Sequence, residues 1–305
     1  MPLIGRTAQF SDRVLGCILG GAIGDAIGGQ FEQQPGSIQS RKSTDWSISD
    51  DTQLTLATCE SIIRAGEVSP EQIAARFVLW FRARRITGIG ASTLKALRDL
   101  DAGAHWALAG ARGEMSAGNG AAMRIAPLAF LLDPANTKQR QIIRDVCRLT
   151  HHNEEAYVGA LAIVLAIRTL AFGQSSSPDV LLNDISSVLP DSRVRDRIIE
   201  FSRLPNDLTV AEVASQFGSS GYVVDSVPLA LYAAGSMTRL SFVNVLDSTI
   251  EAGGDTDTIA SMTGQIVGSW IGASQIPREL IELLPEARNI ERTATEFAAS
   301  IGTVP

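Results

Sequence analysis

The chain has 305 residues, 45% of them hydrophobic, with a formal net charge of −7. That length holds one large domain or two ordinary ones with a sizeable buried core, and the composition excludes extensive disorder. The negative charge leaves no electrostatic footprint for nucleic acid, and the three widely spaced cysteines, Cys17, Cys59 and Cys147, argue against a disulfide framework or a thiolate zinc site.

The first helical pattern covers 13–28 and contains the apolar run Val14–Ile23. Arg6 and Arg13 precede that run, which imitates a secretory signal, but Asp25 follows without a small-residue cleavage site, so the segment is read as part of the fold. Gly16, Gly20, Gly24 and Gly28 repeat every four residues, which gives a helix one face without side chains. Each glycine costs about 1 kcal/mol of helix propensity relative to alanine, so close packing must offset it. Asp25 interrupts this stripe, which argues against a membrane helix; an acid there reads as structural, bonded to backbone N–H groups. Glu32 follows the break at Gly28-Gly29, in a loop, where catalytic residues concentrate. Trp46 precedes Ser49-Asp50-Asp51-Thr52 and serves either as core or as a wall of a site. A helix over 50–65 follows.

Ser69-Pro70-Glu71-Gln72 is a capping box with proline at the first helical position, and Ile73, Phe77, Trp80 and Phe81 then share one face. The arginines at 82, 84 and 85, like those at 193, 195 and 197, read as solvated helix faces. Glycine loops at Thr87–Ser92, Gly118–Gly120 and Ser219–Tyr222 each precede a helix, a position that offers N–H groups to a phosphate. None matches a nucleotide-binding fingerprint. His105, beside Trp106, has no companion motif. Further helices are expected over 137–149, 153–172, 178–188, 191–203, 241–252 and 256–272. His151 and His152 stand at the start of the 153–172 helix, as cap, packing or site residues. The apolar run Ala156–Ile167 is too short to span a bilayer and reads as a buried helix. Gly264, Gly268 and Gly272 form a second four-residue stripe. No alternating strands appear, so the expected fold is all-α, a single domain over 1–305 with its core at about 12–275, with neither a membrane nor a nucleic-acid partner and in a reducing, cytoplasmic setting.

The acidic clusters carry the chemistry. In Ser49-Asp50-Asp51 and in Asp255-Thr256-Asp257-Thr258 a helix cap accounts for one residue each. It leaves adjacent carboxylates unexplained, because neighbours of like charge repel unless a cation or proton lies between them. With oxygen donors only, the set selects magnesium or manganese over zinc. Four carboxylates overcharge one small ion, so two ions about 3.5–4 Å apart, sharing a carboxylate, fit better. Asp255 onward lacks the central glycine and terminal glutamate of a calcium loop.

Taken in order, Gly16-Cys17-Ile18-Leu19-Gly20, Gly24-Asp25-Ala26-Ile27-Gly28 with Glu32, Ser49-Asp50-Asp51-Thr52, Gly118-Asn119-Gly120-Ala121-Ala122-Met123-Arg124, Thr150-His151 and Gly253-Gly254-Asp255-Thr256-Asp257-Thr258 resemble the motifs of the ADP-ribosylglycohydrolases. The resemblance covers nearly the whole chain and implies a compact, all-helical hydrolase with two Mg²⁺ or Mn²⁺ ions. It implies Ser49, Asp50, Asp51, Asp255, Asp257 and Thr258 as metal ligands, with serine where the family often has threonine. Glu32, Asp51 and Asp257 are the implied catalytic acids. Along the ADP-ribose it implies Asn119, Gly120, Met123 and His151, and, on looser matches, Gly90, Ser220, Gly221 and Tyr222. The implied substrate is an ADP-ribosylated protein or a small ADP-ribose conjugate, with arginine-linked ADP-ribose first. Serine-linked or acetyl-linked ADP-ribose, a metal-dependent phosphohydrolase and a non-catalytic relative remain as alternatives.

Overall fold

A computed structural model describes residues 3–32, 46–174, 177–205 and 207–301, with side chains from Ala8 onward. Among the described residues there are fifteen α-helices, and the only strands are two of two residues each, so the all-α expectation holds. No helix there is long and apolar enough to cross a membrane. The Glu154–Ala171 helix, which carries Ala156–Ile167, is buried almost all round, as expected of a core helix. All three cysteines are buried and free.

The two glycine stripes meet. A Cβ on Gly16 would lie 2.3 Å from the carbonyl oxygen of Gly268, one on Gly20 2.3 Å from that of Gly264, one on Gly24 2.1 Å from that of Ala260, and one on Gly28 2.3 Å from that of Thr256. Contacts fall along one helix as they rise along the other, so Leu3–Gly28 and Thr256–Ile271 run antiparallel with their backbones in direct contact. Thr256 Oγ1 donates to Gly28 O at 2.8 Å and locks the register at one end. This packing brings the C-terminal end of the first helix to the N-terminus of the later one.

The first helix begins at Leu3, ten residues ahead of the sequence pattern. Tertiary contacts account for the extension. Phe10 packs on Phe130 and Phe172, Asp12 accepts from Ser274 N and Oγ, and Arg13 Nη1 donates to the carbonyls of Leu170 and Ala171 at the end of another helix. The Pro70–Arg82 helix buries Ile73, Phe77 and Trp80 of the predicted face, with Phe81 half-buried, and of the expected capping box it shows the half in which Ser69 Oγ accepts from Gln72 N. The Ala287–Ile301 helix buries Ile290, Ala294, Phe297 and Ile301 against the first helix and Asp50–Ala65.

One expectation is corrected. His151 and His152 do not start a helix; they form a short strand paired in parallel with Ala111–Arg112. The helix begins at Glu154 because the Asn153 side chain accepts from Glu155 N and Ala156 N, a cap that requires extended backbone before it.

Because a Cβ on Gly264 would stand 2.1 Å from the Gly20 carbonyl oxygen, no rotamer change can relieve it. Gly264→Ala is therefore expected to lose about 1–3 kcal/mol of stability, despite alanine's propensity gain of about 1 kcal/mol. Urea unfolding checks this; an unchanged or raised midpoint contradicts backbone contact between the two helices.

Candidate active site

Three helix ends converge on one cleft. The first helix contributes Asp25 near its C-terminus and Glu32 just past it. The Asp50–Ala65 helix opens on Asp50 and Asp51, with Ser49 as its N-cap accepting from Asp51 N. The Thr256–Ile271 helix opens on Asp255, Thr256, Asp257 and Thr258. Asp255 occupies the N-cap position yet makes no side-chain cap bond, and Gly253 and Gly254 turn into it at φ of 67° and 79°. Those angles suit glycine, and a Cβ on Gly254 would also strike Ser219 O at 2.1 Å. Capping thus leaves the carboxylates of Asp50, Asp51 and Asp255 unaccounted for.

Oxygen atoms of Asp25, Asp51 and Asp257 lie within 4.8 Å of one another, and so do those of Glu32, Asp255 and Asp257. Asp257 belongs to both groups. Asp25 is fully buried and accepts from Ser49 N, Ser49 Oγ, Thr52 N and Thr52 Oγ1, as expected of an acid bonded to backbone N–H groups. Ser49 Oγ lies 2.7 Å from Asp25 Oδ1 and 3.1 Å from Asp51 Oδ2, so one hydroxyl hydrogen faces two carboxylates. Thr258 Oγ1 donates to Asp51 Oδ2 at 3.2 Å. Asp51 Oδ1 is buried without a partner among the described residues. An all-oxygen set with an orphaned carboxylate oxygen at its centre fits a hard divalent cation, and the cluster could hold metal.

Electrostatics agree. Burial, then Asp25 and Asp257, push the carboxyls of Asp50 and Asp51 well above the ordinary aspartate value. Asp257 is pushed up to about 7 by burial and then Asp255, and Asp25 to about 6 by burial against the pull of its hydrogen bonds. Glu32, exposed at the rim, is raised by Asp257 first and then by desolvation.

The cleft, of about 290 Å³, is lined by the acidic set Glu32, Asp50, Asp51, Asp255 and Asp257 with Thr258, and by the loop residues Gly90, Asn119, Gly120, Met123 and Gly221 with His151. Ser49 stands beneath the acidic floor. Ser220 and Tyr222 lie outside the wall: Ser220 Oγ donates to Asp225 Oδ2, and the Tyr222 hydroxyl lies 3.5 Å from Arg193 Nη1. Trp46 is half-buried against the core. The loops are fastened to the acids. Asn119 Nδ2 donates to Asp255 Oδ2 at 2.6 Å, Asn119 N to Gly221 O, and Asp255 N to Ser219 O.

Sequence reasoning missed the residues that hold this frame. Buried Gln53 donates to Ile48 O and Thr87 Oγ1 and accepts from Thr87 N, tying the Gly88–Gly90 loop to the aspartate helix. Buried Gln265 donates to Met123 O at 2.6 Å and ties down the Asn119 segment. The available signal was an amide set in an otherwise apolar helix face, each within a helix that starts on an acidic cluster.

His151 is buried, and desolvation, followed by the charge of Arg124, lowers its pKa to about 3. The unfolded chain takes up that proton near the ordinary value of about 6.5. Between these values the unfolded state binds more protons, so this group's share of stability is full above pH 6.5 and falls as pH drops. His151→Gln is expected to flatten the acid limb below pH 6.5, removing a limiting slope of about 1.4 kcal/mol per pH unit. Urea titrations of both proteins from pH 7 to 4 measure the difference. The clustered carboxylates act oppositely: raised by burial and by one another, they destabilise the metal-free protein as pH rises. Asp51→Asn is expected to raise the melting temperature in EDTA at pH 8 and to abolish the increment that Mg²⁺ or Mn²⁺ gives the unsubstituted protein. Calorimetry with and without metal checks both halves.

Comparison with known proteins accords with this geometry. The ADP-ribosylglycohydrolase family model matches residues 6–304. The chain is 28% identical to ADP-ribosylhydrolase ARH3 of Bos taurus, over 88% of each chain. It is also 28% identical to ADP-ribosylarginine hydrolase Tri1 of Pseudomonas putida, over 95% of this chain and 78% of the relative. A solved structure described as an ADP-ribosylglycohydrolase-related protein complex superposes with a TM-score of 0.76 at 25% identity, covering 96% of this chain and 99% of the other. The chain belongs to the ADP-ribosylglycohydrolase family.

Proposed function

We propose that this protein is a divalent-metal-dependent hydrolase that removes ADP-ribose from a modified acceptor, first of all from arginine on protein. The observation that carries the reading is Asp257, whose carboxylate is shared by two acidic groups while the buried Asp51 Oδ1 has no partner among the described residues. On this reading Ser49, Asp50, Asp51, Asp255, Asp257 and Thr258 hold two Mg²⁺ or Mn²⁺ ions. When bound, the ions supply charge that neutralises these carboxylates and lowers the pKa of a nearby water.

The chain's own groups do the rest. Glu32, exposed at the rim with its pKa raised by Asp257, is suited to take a proton from water and pass it to the leaving group. Cleavage at the anomeric carbon passes through an oxocarbenium-like state, and Glu32, the lining carboxylate outside the proposed ligand set, offers negative charge to it. Gly90, Asn119, Gly120, Met123, His151 and Gly221 hold the ADP-ribose along the opposite wall. The glycine loops bring backbone close to it, with Gly90 at the N-terminus of Ala91–Asp101. Ser220 and Tyr222 act indirectly, through the loop that presents Gly221 and braces Asp255. The arginine preference draws support from the Tri1 relative, named an ADP-ribosylarginine hydrolase, and from the acidic mouth, which suits a cationic guanidinium.

Product analysis tests both levels. Arginine-linked and serine-linked ADP-ribosyl peptides are incubated with the enzyme, with and without Mg²⁺. Release of free ADP-ribose from the arginine conjugate, dependent on metal, is expected. Cleavage of the serine conjugate alone would reassign the acceptor, and release of phosphate instead of ADP-ribose would overturn the reaction class. Asp257→Ala is expected to reduce turnover to background with the helical circular dichroism retained, and Glu32→Gln to slow it by about 10²–10⁴-fold.

A further inference from the structure

Arg124 ends the Gly118–Arg124 motif and is unused in the chemistry above. It is fully buried, with Nε and Nη1 lacking partners among the described residues and the Phe77 ring 5.1 Å from Cζ. Burying a guanidinium costs several kcal/mol unless its surroundings compensate. Its one hydrogen bond runs from Nη2 to Thr150 Oγ1, at 2.5 Å. Thr150 Oγ1 in turn lies 2.8 Å from His151 Nδ1.

The direction of the second bond follows from donor bookkeeping. Arginine only donates, so Thr150 Oγ1 is the acceptor in the first bond. Thr150 is fully buried, and among the described residues its hydroxyl hydrogen has one place to go, His151 Nδ1. Were Nδ1 protonated instead, that hydrogen would be left unbonded in the interior, at a cost of about 1–3 kcal/mol. Nδ1 is therefore the acceptor, and the ring's single hydrogen sits on Nε2. Nε2 faces the cleft wall: a Cβ on Gly118 would stand 3.3 Å from it and one on Gly120 3.5 Å. Burial and the Arg124 charge both oppose a second proton on the ring.

We propose that Arg124 and Thr150 are positioning residues that fix His151 in its Nε2–H form, so that the ring presents one hydrogen-bond donor to an oxygen of the ligand lying against Gly118–Gly120. The inference rests on the reading of this cleft as an ADP-ribose site. The opposite tautomer would turn a lone pair toward a ligand rich in oxygen acceptors, losing a bond and adding repulsion.

The protein has three histidines, so long-range proton–nitrogen NMR can resolve each ring, with His151→Gln giving the assignment. Expected is a His151 protonated at Nε2 and bare at Nδ1. Thr150→Val is expected to shift the ring toward the Nδ1–H form and to weaken ADP-ribose binding about tenfold by calorimetry. Thr150→Ser, which keeps the hydroxyl, should hold both within about twofold. A wild-type ring protonated at Nδ1 overturns the proposal whatever the Thr150 variants show. So does a folded Thr150→Val protein with unchanged tautomer and affinity. If His151→Gln binds ADP-ribose as well as wild type, the assignment of the cleft fails instead, and the wild-type tautomer still decides whether the relay exists.

Discussion

The site depends on a contact between two backbones. The glycines of the first helix let Leu3–Gly28 lie directly on Thr256–Ile271, with projected Cβ positions 2.0–2.3 Å from the facing carbonyls. Helices separated by larger side chains pack about 8–10 Å apart, with room to slide or tilt. Here the separation is set by hard atoms, so the register is set too. Asp25 and Glu32 are placed against Asp255 and Asp257 although more than two hundred residues intervene. Two helices closing in this way cannot later spread to relieve what their ends carry.

What their ends carry is repulsion. Two unit charges 4 Å apart cost about 4 kcal/mol at an effective dielectric near 20. A helix N-terminus returns about 0.3–1 kcal/mol for a nearby anion. The N-termini of Asp50–Ala65 and Thr256–Ile271 therefore cannot settle the balance for Asp50, Asp51, Asp255 and Asp257. The hydrogen bonds that might are spent elsewhere: Asp25 receives four, whereas Asp51 Oδ1 receives none. The remaining remedies are protons, which is why burial and neighbouring charge raise Asp50, Asp51 and Asp257, or cations, which neutralise the cluster at neutral pH. Asp25 braces Ser49 and Thr52, and Asp51 Oδ2 is bonded by Ser49 and Thr258, which leaves Asp51 Oδ1 as the buried oxygen without a partner among the described residues.

The acidic clusters and the glycine stripes were legible in sequence because each is written as local excess. Adjacent aspartates exceed what a cap needs, and four-residue glycine spacing exceeds what a turn needs; both features stand out without knowledge of the fold. The helical class was legible for the same reason, since period 3.6 recurs along the whole chain. The illegible part consists of single polar residues whose partners are remote. Gln53 and Gln265 each look like an ordinary helical glutamine until Thr87 and Met123 arrive beside them. The extra turns of the first helix depend on Phe130, Phe172 and Ser274. His151 reads as a helix start because apolar periodicity follows it; the Asn153 cap and the pairing with Ala111 decide otherwise.

Sequence position also hides the asymmetry of the cleft. Its lining sets a dense array of carboxylates beside glycine loops, an asparagine and a histidine whose pKa burial and the Arg124 charge lower. Asn119 spans the two, donating to Asp255 from the loop side. A ligand that is anionic along its length could not lie on the acidic floor, and one that is cationic along its length would find no partner on the loop wall. Under the proposed function, such a lining suits a molecule of mixed character, with oxygen acceptors for the uncharged donors and a centre that gains positive charge as its bond breaks. Keeping His151 uncharged is part of that selection. A charged imidazolium would sit across the cleft from the carboxylates and draw on the same negative field that a bound cation uses. The charge of the buried Arg124 opposes that protonation as well.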